Sequence, residues 1–345
     1  MTASERSYVG LALQTAKGTI NATDAAFVYF LFNEGGIGPQ NVIVPLDQEV
    51  GGGAMLRSVI KAGVVSAGAF TLIPRPIAIG WFLYGALGDP TTTGAAVPYT
   101  HTFKMAADQF DAPYFTIRSS PGGIWGETFM DCRVAAFGLN WKAADYIRGS
   151  VAFIGGTPVN KVSMTNWVPA TYLDKGPQFI APKTTIEVPV STSIKVLSGS
   201  LAMGMNIPMD EQWITGQYTP DDATINSRMF TLTMATKVVD VTLYDKMAYD
   251  PAAGAAWAAA MYKEANITLS FVSDQLTGAG LAAYSLTIHG NKCPAAGLPN
   301  IVWTCTPIAL RAGRQVIMNM TGTFLASPDA DPPIDAVLVN ATTAY

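Results

Sequence analysis

The chain has few groups that could do chemistry, and they do not cluster. Its two histidines are His101 and His289. A catalytic or metal-bound histidine works beside a carboxylate, hydroxyl, thiol or second imidazole. Each of these sits alone in a strand-like run, Tyr99–Phe103 and Tyr284–His289, so a hydrogen-bonded or surface histidine is expected. Gly278-Ala279-Gly280-Leu281-Ala282-Ala283 has the spacing of a dinucleotide-binding turn, which needs a strand before it and a helix after it. Here Tyr284 to Ile288 alternates like a strand, so the segment reads as a glycine-rich hairpin loop. Asp329, Asp331 and Asp335 could approach Ca²⁺, but Pro332-Pro333 interrupts them and neither a loop glycine nor a distal glutamate follows. They read as a solvated acidic loop, and Asp221-Asp222 after Pro220 as a turn. Cys132, Cys293 and Cys305 are odd in number and lack metal-ligand spacing. They read as reduced and mostly buried, with a Cys293–Cys305 disulfide as the alternative. The seven tryptophans are scattered and read as core or interface anchors. No catalytic residue, cofactor site or metal site is expected.

The elements behind these residues belong to a chain poor in charge. Of 345 residues, 13% are charged and 49% hydrophobic, and the mean hydropathy is +0.25. Ordinary soluble domains are about 25% charged. Either a membrane or further protein copies must therefore cover much of the surface. The most apolar region, Gly63 to Gly88, is broken at Pro74-Arg75-Pro76, and Ala252 to Met261 is short. Neither reaches the roughly 20 residues a spanning helix needs. Met1-Thr2-Ala3-Ser4-Glu5-Arg6 does not resemble a signal peptide, so ordinary export is not expected. The net charge of −4 and the lack of a Lys/Arg block disfavour tight nucleic-acid binding. An outer-membrane β-barrel and a β-rich binding protein or enzyme remain as alternatives.

The strongest pattern is an internal repeat. Phe70-Thr71-Leu72, Leu83-Tyr84 and Asp89-Pro90 return as Phe230-Thr231-Leu232, Leu243-Tyr244 and Asp250-Pro251, with 13 residues from Phe to Leu in both copies. Further on, Tyr114-Phe115-Thr116-Ile117 resembles Tyr284-Ser285-Leu286-Thr287-Ile288, and Lys142-Ala143-Ala144 resembles Arg311-Ala312-Gly313. Phe153 to Pro158 resembles Phe324 to Pro328. Ordered matches at nearly constant offset imply a duplicated unit of domain size, residues 1–165 and 166–345, joined through a proline-rich linker between Pro158 and Pro182.

Each copy reads as mainly β with a few helices. Phe137, Leu139 and Trp141 alternate with Gly138, Asn140 and Lys142, and Ile147, Gly149, Val151 and Phe153 with Arg148, Ser150 and Ala152. Ala143-Ala144-Asp145 is placed for the hairpin turn. In the second copy Ile308–Leu310 would pair with Val316–Phe324. Helices are expected over about 77–87, between Pro76 and Gly88, and over 252–264 after Pro251. The stretch 33–54 holds Gly35, Gly36, Gly38, Pro39, Gly51 and Gly52, and reads as a long loop reaching to a neighbour.

These residues together resemble the tail tube proteins of long-tailed phages, in the two-tube-domain form. The resemblance rests on Pro98-Tyr99-Thr100-His101-Thr102-Phe103, Tyr114 to Ile117, Asp131-Cys132-Arg133-Val134 leading into Phe137-Gly138-Leu139, and Ser150-Val151-Ala152-Phe153-Ile154-Gly155. It covers about Tyr8 to Ser327; each motif is weak alone, and their order carries the weight. It implies a mainly β (α+β) fold of tandem tube domains whose strands share an inner β-barrel. It implies a virion protein without catalytic residues, assembled in the host cytoplasm into homotrimeric, pseudo-hexameric rings that stack into a non-contractile tube. The implied partners are other copies, the tape measure protein and genome DNA in the lumen, and the tail terminator and distal tail proteins; no membrane insertion is implied. By alternation Asn140, Lys142, Arg148 and Ser150 would line the lumen, with Asn319 and Thr321 as second-copy equivalents and Lys142 and Arg148 near the rim or paired with carboxylates.

Overall fold

The computed structural model describes residues 7–47, 58–105, 112–163, 177–188, 193–238, 244–245, 247, 263–264, 267–273, 284–290, 301–306, 308, 315–325 and 332–345. In the first half the elements are β1 (Tyr8–Leu13), β2 (Val28–Phe30), β3 (Glu34–Pro45), β4 (Val59–Leu72), α1 (Ala78–Leu87), β5 (Thr91–Thr93), β6 (Tyr99–Lys104), β7 (Phe115–Ser120), β8 (Trp125–Lys142) and β9 (Arg148–Ser163). The second half adds β10 (Thr185–Glu187), β11 (Val196–Asn206), β12 (Ser227–Lys237), β13 (Lys263–Glu264), β14 (Ile267–Val272), β15 (Ser285–Gly290), β16 (Ile301–Cys305), β17 (Ile317–Phe324) and β18 (Ile334–Asn340). The chain is mainly β, as its alternation implied.

The strands form two antiparallel sheets. The larger contains the continuous path β3-β4-β9-β8-β11-β12-β17-β16, with β13 beyond β16. The first four and last four strands of that path repeat one order, and β8 to β11 joins them. The long strand β8 serves two neighbours on one edge. Its N-terminal half pairs with β7, which leads on to β1 and β2, and its C-terminal half pairs with β11. A register shift at Val134/Ala136 separates the two uses, and another at Thr128/Phe129 falls within the β7-paired half; such bulges bend a strand. The second sheet runs β10-β14-β15-β18-β6-β5, so β5 and β6 of the first half lie in a sheet with strands of the second. One hydrophobic core spans both halves.

Helix α1 touches β8 of the larger sheet and β6 and β18 of the smaller. Its sequence is apolar nearly all round, and eight of its ten residues are buried, as expected of a helix enclosed on every side. Gly88, at φ 114°, ends it and donates its N–H to Tyr84 O at 2.9 Å. Phe82 meets Phe30 edge-on at 5.1 Å and stacks with Phe137 at 6.3 Å. The helix approaches β8 so closely that a Cβ on Gly85 would overlap Val134.

Several local expectations change. Residues 34–45, expected in a loop, form strand β3, paired along its length with β4. Glycine and proline suppress strand propensity, but a long partner strand supplies the backbone hydrogen bonds regardless. Of the helix expected over 252–264, residues 252–262 lie outside the described residues, and Lys263-Glu264 are strand β13. The Tyr114–Ile117 and Tyr284–Ile288 matches fall in different sheets, β7 in the larger and β15 in the smaller. A short alternating string suits any strand with one buried face. The linker expected from Pro158 starts as strand, since β9 runs to Ser163. Other matches keep equivalent places: Phe70–Leu72 and Phe230–Leu232 lie in β4 and β12, Phe153 and Phe324 in β9 and β17, and Tyr84 and Tyr244 are both helical. Arg311–Gly313 lies outside the described residues.

Candidate functional site

Two surfaces stand out, one on the sheet and one projecting from it. The first is the face of the larger sheet turned away from the core. On β8, β9, β11, β12 and β17, alternate residues Phe137, Leu139, Trp141, Val151, Phe153, Leu201, Met203, Phe230, Leu232, Met234, Met318 and Met320 are buried. The intervening positions therefore share the opposite face. The pairing registers align them in rows across the strands. One row runs Arg148, Asn140, Ser200, Thr233, Thr321, Thr304. The next runs Lys142, Ser198, Ala235, Asn319. On the other side of the first row lie Thr71, Ser150, Gly138, Ala202, Thr231 and Thr323. All six residues singled out by alternation, Asn140, Lys142, Arg148, Ser150, Asn319 and Thr321, thus fall on one face in three adjacent rows. Sequence reading missed Thr71, Ser198, Ser200, Thr231, Thr233 and Thr304, although Ser198 to Met205 and Phe230 to Ala235 alternate as visibly as Phe137 to Lys142.

These rows are neutral and short-chained except at the β8–β9 turn. There the Arg148 guanidinium meets Asp145 at 3.1 Å and lies over the Tyr146 ring at 4.4 Å. Asp145 Oδ1 accepts the Tyr146 N–H at 2.9 Å. That bond, then the Arg148 contact, hold the Asp145 carboxyl below its usual range. Ala144, at φ 63°, makes the tight turn expected for this hairpin.

The projecting surface is the far end of the β3–β4 hairpin. Pairing of β4 with β9 stops at Ser66↔Gly155, whereas β3 and β4 remain paired out to Pro45↔Val59. Beyond the sheet, Ile43, Val44, Leu46, Val59 and Ile60 are 43–59% exposed. Gly35, Gly36, Gly38 and Pro39 lie in the inner part of this hairpin, opposite Phe70, Ala69, Ala67 and Ser66. Gly51 and Gly52 lie outside the described residues.

The described histidines and cysteines are held by structural contacts or burial. His101 is fully buried; its Nδ1 meets Thr92 Oγ1 at 2.8 Å, and Nε2 meets Asn340 Oδ1 at 3.1 Å and Thr342 O at 2.9 Å. Burial lowers its pKa, partly offset by the Asn340 and Thr342 bonds. Asp335, expected in a solvated acidic loop, instead lies in β18 and pairs with His289 Nδ1 at 2.7 Å; strand pairing with β15 sets the two side by side. Asp329, Asp331 and 278–283 lie outside the described residues, but β15 begins at Ser285, so a strand rather than a helix follows the glycine-rich stretch. Cys132 and Cys305 are free thiols, Cys132 buried with its pKa pushed up by desolvation. Among the described residues no three His, Cys, Asp or Glu side chains are grouped to hold a metal, and no helix is long and apolar enough to cross a membrane.

A two-sheet β fold with a long neutral face and a projecting hairpin suits a part built to assemble. No curated protein sequence matches the chain. The family model described as phage tail tube protein matches residues 4–301. The chain therefore belongs to the phage tail tube protein family, and is a structural component of the virion tail that assembles with its own kind into a tube.

Proposed function

We propose that three copies of this chain join edge to edge into a ring, each half supplying one tube domain of a pseudo-hexamer, and that stacked rings form a conduit for the genome. One observation carries this reading. The eight-strand path from β3 to β16 is antiparallel at every step. Its end strands therefore run in opposite directions, so β16 of one copy can lie beside β3 of the next without breaking the alternation. The junction of β8 with β11 inside the chain is the template for that contact. Among described residues β3 pairs only with β4, and β16 beyond Val302 only with β17. Such open edges invite pairing, and closure into a barrel removes them. Three chains of eight strands make a barrel of twenty-four.

In that ring the neutral face lines the lumen. Hydroxyls, amides and small side chains offer phosphates little to grip, since duplex binding rests on neutralising charges. DNA can then pass without being held. The paired Arg148 and Asp145 lie at the β8–β9 rim. The projecting hairpin reaches the next ring, and the tape measure, terminator and distal tail proteins meet the lumen and the tube ends. Negative-stain electron microscopy of protein made without detergent tests the reading. Stacked rings or hollow tubes are expected. A dispersed monomer at every concentration overturns it, and recovery only in detergent points to a membrane barrel.

A further inference from the structure

We infer that the loop 207–226 of the second half is a clamp that aims the β3–β4 arm at a second copy in the adjoining ring, so that rings are keyed threefold rather than sixfold. The inference rests on the tube reading above.

The arm and the clamp occupy equivalent places. In the repeated strand order, β3–β4 corresponds to β11–β12. The first connection is drawn out into the hairpin. The second leaves the sheet at Asn206, forms a short 3-10 helix over Met209–Gln212 and returns at Ser227. One position in the repeat thus carries two different structures, and only one of them projects as a paired arm.

The second structure grips the first. Trp213 packs against the backbone at Gly63 so closely that a Cβ there would fall within the indole. The Val64 N–H donates to Tyr218 O at 2.7 Å. The loop is in turn fixed to the first half: Tyr114 donates its hydroxyl to Asp222 Oδ1 at 2.8 Å, and Lys17 meets Asp221 at 3.4 Å. Inside the loop the Asp221 N–H donates to Gln212 O at 2.8 Å. The grip falls in the outer six register pairs of the hairpin, which among the described residues have no third strand beside them. A two-stranded ribbon is marginally stable alone in water, so Trp213 and Tyr218 set its direction.

Beyond the grip the described part of the arm carries Ile43, Val44, Leu46, Val59 and Ile60, all exposed. A second copy is the partner because the family assembles with itself and the exposed residues lie where the sheet has run out. A ring of three chains then presents three arms and, at the alternating positions, three clamps. Each ring seats on the next in three equivalent orientations.

The test uses the full chain. Trp213→Ala removes the grip, and Gly63→Ala expels the indole without shortening any side chain. Each is expected to keep a cooperative melt and to form rings, while sedimenting polymer falls at least about tenfold. Trp213→Phe should restore much of the loss, and Ile60→Asp on the exposed part of the arm should reproduce it. A cryo-EM map of wild-type tubes should show three arms per ring crossing to the neighbour. If wild-type protein makes tubes and both clamp variants do so equally well, or if six equivalent contacts join the rings, the inference is overturned. If wild-type protein makes no tubes, the tube reading itself fails.

Discussion

The neutral face can be made to hold DNA, and the size of the effect follows from the geometry. Thr71 and Thr231 occupy the same place in the two repeats, on β4 and β12, and both face away from the core beside Phe70 and Phe230. They share one register row but are separated by β9, β8 and β11, so lysines there would not repel as cross-strand neighbours do. The Thr71→Lys/Thr231→Lys variant adds two charges per chain. In a ring of three chains that makes six, spaced quasi-equivalently around the lumen. If each neutralises one phosphate, the slope of log K against log salt is about −5 per ring, at roughly −0.9 per contact. Affinity for a short duplex should then fall about a thousandfold between 50 and 200 mM salt. Surface substitutions of this kind usually change stability by less than about 0.5 kcal/mol, so tubes should still form. Co-sedimentation of labelled duplex with open-ended tubes across a salt series reads the slope. Wild-type tubes should retain none at any salt. Variant tubes that stay silent at 50 mM salt would show that this face does not line the lumen, and wild-type tubes with a steep slope of their own would refute the passive-conduit argument.

Three further outcomes follow from the packing. Phe82→Ala empties a fully buried ring site between Phe30 and Phe137 and should cost about 3–5 kcal/mol; at roughly 2.1 cal/mol/K per residue, calorimetry should show the melting temperature down by about 4–7 °C. His101 has a folded pKa below its unfolded value, so its contribution is complete above about pH 6.5 and is lost as pH falls through the folded pKa; urea midpoints from pH 8 to pH 5 should fall less steeply for His101→Gln than for wild type. The buried, proton-holding Cys132 should resist thiol labelling in the native protein, whereas the half-buried Cys305 should react, as site-resolved mass spectrometry would report.

The sequence determined the local periodicities and the repeat. Alternation from Phe137 to Lys142 and from Arg148 to Phe153 needs one buried face, so it identified both strands and the side on which Asn140, Lys142, Arg148 and Ser150 lie. Pro76, an unbroken apolar run and Gly88 marked α1 to within a residue, because helix ends are set by local backbone chemistry. Scarce charge pointed to surface covered by other copies. The tertiary structure decided which strands are neighbours, and pairing between distant segments leaves no local trace. It joined β8 to β11, so the two repeats share one sheet, and it placed β6 beside β18 across the halves. It made the glycine-rich stretch 34–45 a strand, because β4 offered a partner of matching length. It also set Trp213 on Gly63, 150 residues apart in the chain. Neither residue is unusual by itself, and only the fold brings them into contact.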